Sequence, residues 1–383
     1  MTESRRPRLR SPKRASAGRP ARRNTIVPQT AHLKGEPLGE TLRLDIFNKK
    51  WLNRCDINMK RVGLFFGGLS NEYEVSIDSA FNVAKNIDSK KYEVALIHWD
   101  KKGDFFVVPS VKNLKEGKRI NINDFNKFID VALPMTHGKY GEDGVLQAIL
   151  ESQKIPYAGC HVLSSALCMD KAIFKNLMAG YGILQAKYII LDYVLDGKNE
   201  IEEKISLLKK LKLPIFVKPA NSGSSVGITK IKNFDLLSKA IEIAKKHDSK
   251  VIVEVGFTKH KEIEIAVLGN DKLIISQPAQ LVLIGEFYDY DEKYKLGRTK
   301  TIIPADISES ENKEAKKLAE RVYRLCGCSG FARVDLFVKD GKVYINEVNS
   351  IPGFTNISMY PALMIKEGLS YGELLSRIIE LAY

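Results

Sequence analysis

The stretch GFARVDLFVKDGKVYINEVN, residues 330–349, constrains the fold of this 383-residue chain more than any other. Two runs rich in β-branched and aromatic residues flank Asp340-Gly341, a dipeptide that turns a hairpin, so the runs pair as antiparallel strands. Side chains at i and i+2 share a face, and Arg333 projects with Asp335 as Glu347 does with Asn349. Register decides whether the two pairs meet. A two-residue turn sets Asp335 opposite Asn346 and on the other face from Glu347; a three-residue loop or a bulge sets it directly across from Glu347. In the first register these are ordinary acids on a solvated strand face. In the second, Asp, Glu and Asn oxygens converge without His or Cys, a donor set for a hard cation such as Mg²⁺ completed by substrate phosphates.

Upstream, KRVGLFFGG (60–68) predicts a strand and tight turn. The following helix is marked by Val75, Ala80, Val83, Ala84 and Ile87. Strands over 92–99 and 128–135 complete an open, largely parallel α/β unit whose functional loops belong at strand C-terminal ends, FGGLSNE (66–72) and THGKYGEDG (136–144). Neither G-x-G-x-x-G nor G-x-x-x-x-G-K-[ST] is present, which argues against a dinucleotide or P-loop fold. Past residue 160 the pattern becomes mainly antiparallel α+β. SALCMDKAIFKNLMAGYGI predicts a helix closed by Gly180, and KLPIFVKPANSGSSVGITKI two strands joined by a Gly/Ser loop.

The net charge of +14 raises the question of nucleic acid, but its distribution answers it. Residues 1–58 hold fourteen Lys and Arg against five Asp and Glu, leaving a net of five positive charges for the other 325 residues. The excess lies in RRPRLRSPKRASAGRPARRN, too poor in apolar side chains to offset the entropy of ordering, and disorder is expected there. A basic arm, a transit-like segment and sequence upstream of a start at Met59 all fit it. No run of about 18 apolar residues suggests a bilayer span. Five scattered cysteines without a C-x-x-C pair argue against a disulfide framework or a zinc site and fit a reducing cytoplasm.

Lys218 ends a strand before the small-residue loop 220–227, whose backbone N–H groups suit an anion, and Lys171 in CMDK is a second phosphate partner. Glu254 and Glu262 suit an adenine amino group and ribose hydroxyls. With the Asp335, Glu347 and Asn349 set and Arg333, these are the parts of phosphoryl transfer.

The motifs GGLSNEYEVS (67–76), HGKYGEDG (137–144), SALCMDK (165–171), VKPANSGSSVG (217–227), FYDYDEKY (287–294), ARVD (332–335) and NEVNSIPG (346–353) together resemble D-alanine:D-alanine ligase, a family of the ATP-grasp superfamily. The likeness spans about residues 60–383. It implies an ATP-grasp fold: a basic extension (1–58), an N-terminal α/β substrate domain (59–160), and central (161–255) and C-terminal (256–383) domains that clasp ATP. Lys171, Lys218, Ser222, Gly223 and Ser225 would hold the phosphates, Glu254 and Glu262 the nucleoside, and Asp335, Glu347 and Asn349 two Mg²⁺ or Mn²⁺ ions. Glu72 would hold the first D-alanine's ammonium and His137 would face its carboxylate. Arg333 and the Gly353 N–H would stabilise the tetrahedral oxyanion, and Lys293 and Ser358 would bind the second carboxylate. Ser224, Tyr294 and Glu72 would link the loops over the site, with 284–300 as a lid. The retained lid tyrosine favours a D-alanine acceptor over D-lactate; Ile351 and the basic extension depart from the family pattern. The resemblance further implies peptidoglycan precursor synthesis, a cytoplasmic homodimer, and no nucleic-acid or membrane partner. A nucleotide-binding regulator without turnover, or an RNA-binding protein using the arm, is the rival class, and the intact Arg333, Asp335, Glu347 and Asn349 set argues against it.

Overall fold

The computed structural model describes residues 59–282 and 300–383. The extension 1–58, and the segment 283–299 with Lys293, Tyr294 and nearly all of the expected lid, lie outside the described residues.

The first sheet contains β1 (Lys60–Gly67), β2 (Tyr92–Trp99), β3 (Phe105–Val108), β4 (Lys118–Ile120) and β5 (Val131–Pro134) in the order β4-β3-β2-β1-β5. Its centre is parallel, β1 lying between β2 and β5. The flank β2-β3-β4 is antiparallel, because a tight turn links β2 to β3 where Gly103 N–H donates to the Asp100 carbonyl at 3.2 Å, leaving no room for a crossover. Helix α1 (Tyr73–Asn86) packs on β1 through Val75, Ala80 and Val83, and α2 (Val145–Ser152) follows β5.

The single helix expected to close at Gly180 is two, α3 (Val162–Met169) and α4 (Lys171–Gly180). Asp170 leaves the helical region, and its carboxylate accepts the Ala172 and Ile173 N–H groups at 3.0 and 3.1 Å. An aspartate offering these bonds caps a new helix rather than continuing the old one.

The second sheet, β6 (Tyr188–Asp192), β7 (Ile215–Pro219), β8 (Thr229–Ile231) and β9 (Lys250–Val255), runs antiparallel in the order β6-β9-β7-β8. Helices α5 (Lys198–Leu208) and α6 (Leu237–Lys245) bury Leu208, Ile241 and Ala244 in one cluster with Val217 and Val253. The third sheet has β10 (Lys261–Leu268), β11 (Ile274–Ile275), β12 (Ala279–Val282), β13 (Lys300–Ile302), β14 (Phe331–Lys339) and β15 (Lys342–Asn349), in the antiparallel order β13-β12-β10-β14-β15 with β11 beside β10.

Helix α7 (Glu309–Leu325) covers one face of the third sheet with Ala315, Leu318, Ala319 and Val322, the i, i+3, i+4, i+7 stripe of an amphipathic helix. Ser308 and Glu311 cap it reciprocally, worth about 1 kcal/mol. Under α7 lie Ala332, Val334, Leu336 and Val338, so the alternate residues Arg333 and Asp335 are turned to the opposite face. Helices α8 (Met359–Lys366) and α9 (Tyr371–Glu380) follow, and α9 returns to the first sheet, where Leu374, Leu375, Ile378 and Ile379 join Val62, Leu64, Val131 and Leu133 in one core. Each such side chain contributes about 1.5–3 kcal/mol on burial. No helix among the described residues is long and apolar enough to cross a membrane.

Candidate active site

β14 and β15 pair with Asp335 opposite Glu347, but Leu336 opposite Ile345, so Asn346 is a bulge. This is the register that brings the acids together. Its cause is visible in β15: Val343 and Ile345 enter the core, and after one extra residue Val348 does, so apolar parity flips and Glu347 and Asn349 move to the Asp335 face. Asn349 Nδ2 donates to Asp335 Oδ2 at 3.0 Å, and Arg333 grips both Asp335 oxygens at 2.7 and 2.8 Å. Glu264, opposite Asp335 on β10, lies 3.3 Å from the guanidinium. Burial opposes the Arg333 charge, but Asp335 and Glu264 outweigh it and hold the group well above its ordinary range.

No three His, Cys, Asp or Glu groups among the described residues form a complete protein cage for a metal. Two carboxylates and a carboxamide on one ribbon nonetheless suit Mg²⁺, which keeps phosphate and water among its ligands.

Lys171 opens α4, where a cation meets the positive end of the helix dipole at a cost of about 0.3–1 kcal/mol. Surrounding acids explain its retention. Its Nζ lies 3.3 Å from Glu347 and donates to the Ser222 carbonyl at 3.0 Å; burial works against its charge, but Glu347, Glu142 and Glu72 raise its pKa. Glu142 was not singled out from the sequence. Burial and the neighbouring Glu72 carboxylate push it well above the usual range.

Lys218, one residue from the end of β7, has its Nζ 2.5 Å from Glu254 Oε1, while the buried Lys175 reaches Glu254 Oε2 at 2.9 Å. Burial tends to raise Glu254, yet the two ammonium groups hold it down to about 2; burial and repulsion from Lys175 lower Lys218. The carboxylate expected to meet an adenine is therefore already the counter-ion of two lysines. Lys175 was missed, although its place one helical turn after Lys171 puts it on the same side of α4. Glu262 lies 3.4 Å from His260 Nε2.

The remaining residues are held by loops. Glu72, buried just before α1, accepts a hydrogen bond from Ser224 Oγ. The approach needs Gly223, where a Cβ would fall 2.8 Å from Glu72 Oε1. Ser224 and Ser225 both have left-handed φ (45° and 61°), each costing about 1–2 kcal/mol, and such strain concentrates at functional loops. His137 is fully engaged: Nδ1–H donates to the Ile351 carbonyl at 3.0 Å, so Nε2 accepts from Ser79 Oγ at 2.8 Å. Burial, only partly opposed by that carbonyl, lowers His137 to about 4, so the ring is neutral at pH 7. Ser79 Oγ in turn accepts the Phe354 N–H at 3.1 Å, tying α1 to the 351–354 loop that contains Gly353. Ser358 Oγ is 2.9 Å from Thr355 N, and a Cβ on Gly353 would meet it at 2.8 Å.

Two cavities, about 290 Å³ and 740 Å³, share Lys171, Ser225 and Glu347 in their walls. The smaller is lined by Glu72, His137, Arg333, Asn349, Gly353 and Ser358; the larger by Lys218, Glu254, Glu262 and the aromatic faces of Phe216, Phe257 and Phe337. One polar chamber thus abuts one larger, partly apolar slot across a lysine and a glutamate.

The family model described as D-ala D-ala ligase N-terminus matches residues 61–160, and that described as D-ala D-ala ligase C-terminus matches 177–380. A D-alanine–D-alanine ligase of Clostridium novyi is 43% identical over 337 residues, covering 84% of this chain and 98% of the relative. Among solved structures, the VanG D-Ala:D-Ser ligase of Enterococcus faecalis is similar with a TM-score of 0.76 and 36% identity, covering 85% of this chain and 100% of that one. The D-alanine–D-alanine ligase of Bacillus anthracis complexed with ATP is similar at 0.67 and 30%, over 84% and 97%. The N-terminal match supplies Glu72, His137 and Glu142 to the smaller cavity and the C-terminal match most of the walls of both, and the chain belongs to the D-alanine–D-alanine ligase family.

Proposed function

We propose that this protein joins two D-alanine molecules into D-alanyl-D-alanine at the expense of ATP, for peptidoglycan precursor synthesis. The observation that carries this reading is the convergence of Lys171, Glu347 and Arg333, with Asp335 held by Arg333, where a larger, partly apolar slot and a small polar chamber share a wall. ATP occupies the slot, with Lys171, Lys218 and the 222–225 loop on its phosphates. Asp335, Glu347 and Asn349 would hold two Mg²⁺ or Mn²⁺ ions, which supply charge neutralisation at the phosphates.

The carboxylate of the first D-alanine attacks the γ-phosphorus, ADP leaves, and the amine of the second D-alanine attacks the acyl phosphate to release phosphate. Glu72 holds the first ammonium and is itself fixed by Ser224. Arg333 and the Gly353 N–H offer donors to the tetrahedral oxyanion, and such preorganised donors contribute about 3–4 kcal/mol each. His137 is neutral with both ring nitrogens engaged, so its part is to hold the 351–354 loop rather than to pair with a carboxylate. Ser358 takes the second carboxylate; the parts expected of Lys293 and Tyr294 fall outside the described residues. A cytoplasmic homodimer completes the proposal.

Purified protein with ATP, Mg²⁺ and D-alanine is expected to release phosphate and dipeptide, and to release neither with L-alanine. Nucleotide binding without product would leave only a binder. The likeness to a D-Ala:D-Ser ligase makes D-serine the second acceptor to test, with D-lactate as a third.

A further inference from the structure

Four of the five cysteines, scattered over 160–328 in the sequence, meet beside the smaller cavity. Cys168 ends α3 with its Sγ 3.8 Å from that of Cys328 in the loop between α7 and β14. Cys168 and Cys326 are buried in the core under α7, Cys328 is partly exposed, and Cys168 also reaches the cavity wall. Cys160 approaches from the other side, its thiol 3.7 Å from the Ser329 carbonyl. Hydrogen bonds from the Cys168 and Cys328 thiols hold Cys326 down to about 5, and the same contacts push Cys168 and Cys328 well above the ordinary thiol range, so what singles out that pair is the approach of their sulfurs and not their acidity. A structural core has no need of four thiols in contact, and two are placed where a small oxidant can arrive.

We propose that Cys168 and Cys328 form an oxidisable dithiol, a modification site that closes to a disulfide with hydrogen peroxide. In the first step the Cys328 thiol and peroxide give a sulfenic acid and water. In the second the Cys168 sulfur displaces the sulfenic oxygen, which leaves as water with the Cys168 proton, so two thiols and one peroxide become one disulfide and two waters. The sulfurs must close from 3.8 Å to about 2.05 Å, within reach of side-chain rotation. The bond pulls on both halves of the site, since Cys168 lies three residues before Lys171 and Cys328 five before Arg333. The dithiol does not depend on the ligase reading; only its effect on turnover does.

The test treats the full chain with peroxide, alkylates the remaining thiols without reduction, and maps linked peptides by mass spectrometry. The expected result is a Cys168–Cys328 linked peptide, absent in Cys328→Ser and retained in Cys160→Ser. Wild-type ligase activity should fall about tenfold and recover with dithiothreitol, consistent with the ~10²-fold cost of a 1 Å misplacement, while Cys328→Ser keeps its activity under peroxide. Unchanged thiols, or a bond between any other pair, overturn the proposal. If the linked peptide forms in a protein that makes no dipeptide, the ligase reading fails and the dithiol stands.

Discussion

The two halves of the site are built differently. Arg333, Asp335, Glu347 and Asn349 stand on paired strands, within seventeen residues of chain, held by a ladder and its one bulge. Glu72, Ser224 and His137 come from loops, and the Ser224–Glu72 bond joins residues 152 positions apart. Strand-borne charges are placed by register and cannot drift singly. Loop-borne groups depend on mutual contacts, on Gly223, and on two serines in a strained backbone conformation.

The sharpest way to break the comparison is to move one charge along its strand. Exchanging two neighbours, Asn346→Glu with Glu347→Asn, takes the carboxylate out of line with Asp335 and into the bulge position, and should abolish detectable dipeptide formation while the fold, read by circular dichroism, survives. Activity within tenfold of wild type would mean that register does not place the charges. Ser224→Ala tests the loop half: kcat/KM should fall about 10²-fold, as on losing one preorganised hydrogen bond, with Tm nearly unchanged. A large fall in Tm with unaltered kcat/KM would make the link structural only.

Within the loop half, a pH dependence sharpens the contrast. His137, held near 4 when folded against an ordinary 6.5, is neutral in the native state while the unfolded chain takes up a proton below 6.5. Its contribution is therefore complete above about pH 6.5 and declines as pH falls towards 4, by about 3 kcal/mol in all. His137→Asn should flatten urea midpoints compared between pH 7.5 and 5. An unflattened profile assigns the acid sensitivity to other groups.

Legibility divides along the same line. The hairpin, its i, i+2 pairs and both candidate registers were readable from residues 330–349, and the parity flip from Ile345 to Val348 carried the deciding signal. The mainly antiparallel character past residue 160 was likewise plain from strand-rich runs. The break at Asp170 was less so, because a continuous apolar pattern masked its capping role. Lys175, Glu142 and Ser79 escaped notice because each looks ordinary alone: a lysine on a helix, an acid in a turn, a serine among small residues. Their meaning comes from partners on other elements. The cysteines teach the same lesson, since no C-x-x-C spacing announces a cluster assembled from α3, the loop before it and the loop after α7.

Because α9 supplies Leu374, Leu375, Ile378 and Ile379 to the core over Val62 and Val131, these two strands wait for a helix that the ribosome makes long after them. Until then their greasy side stays wet. Translation therefore includes an interval in which chaperones have something to grip.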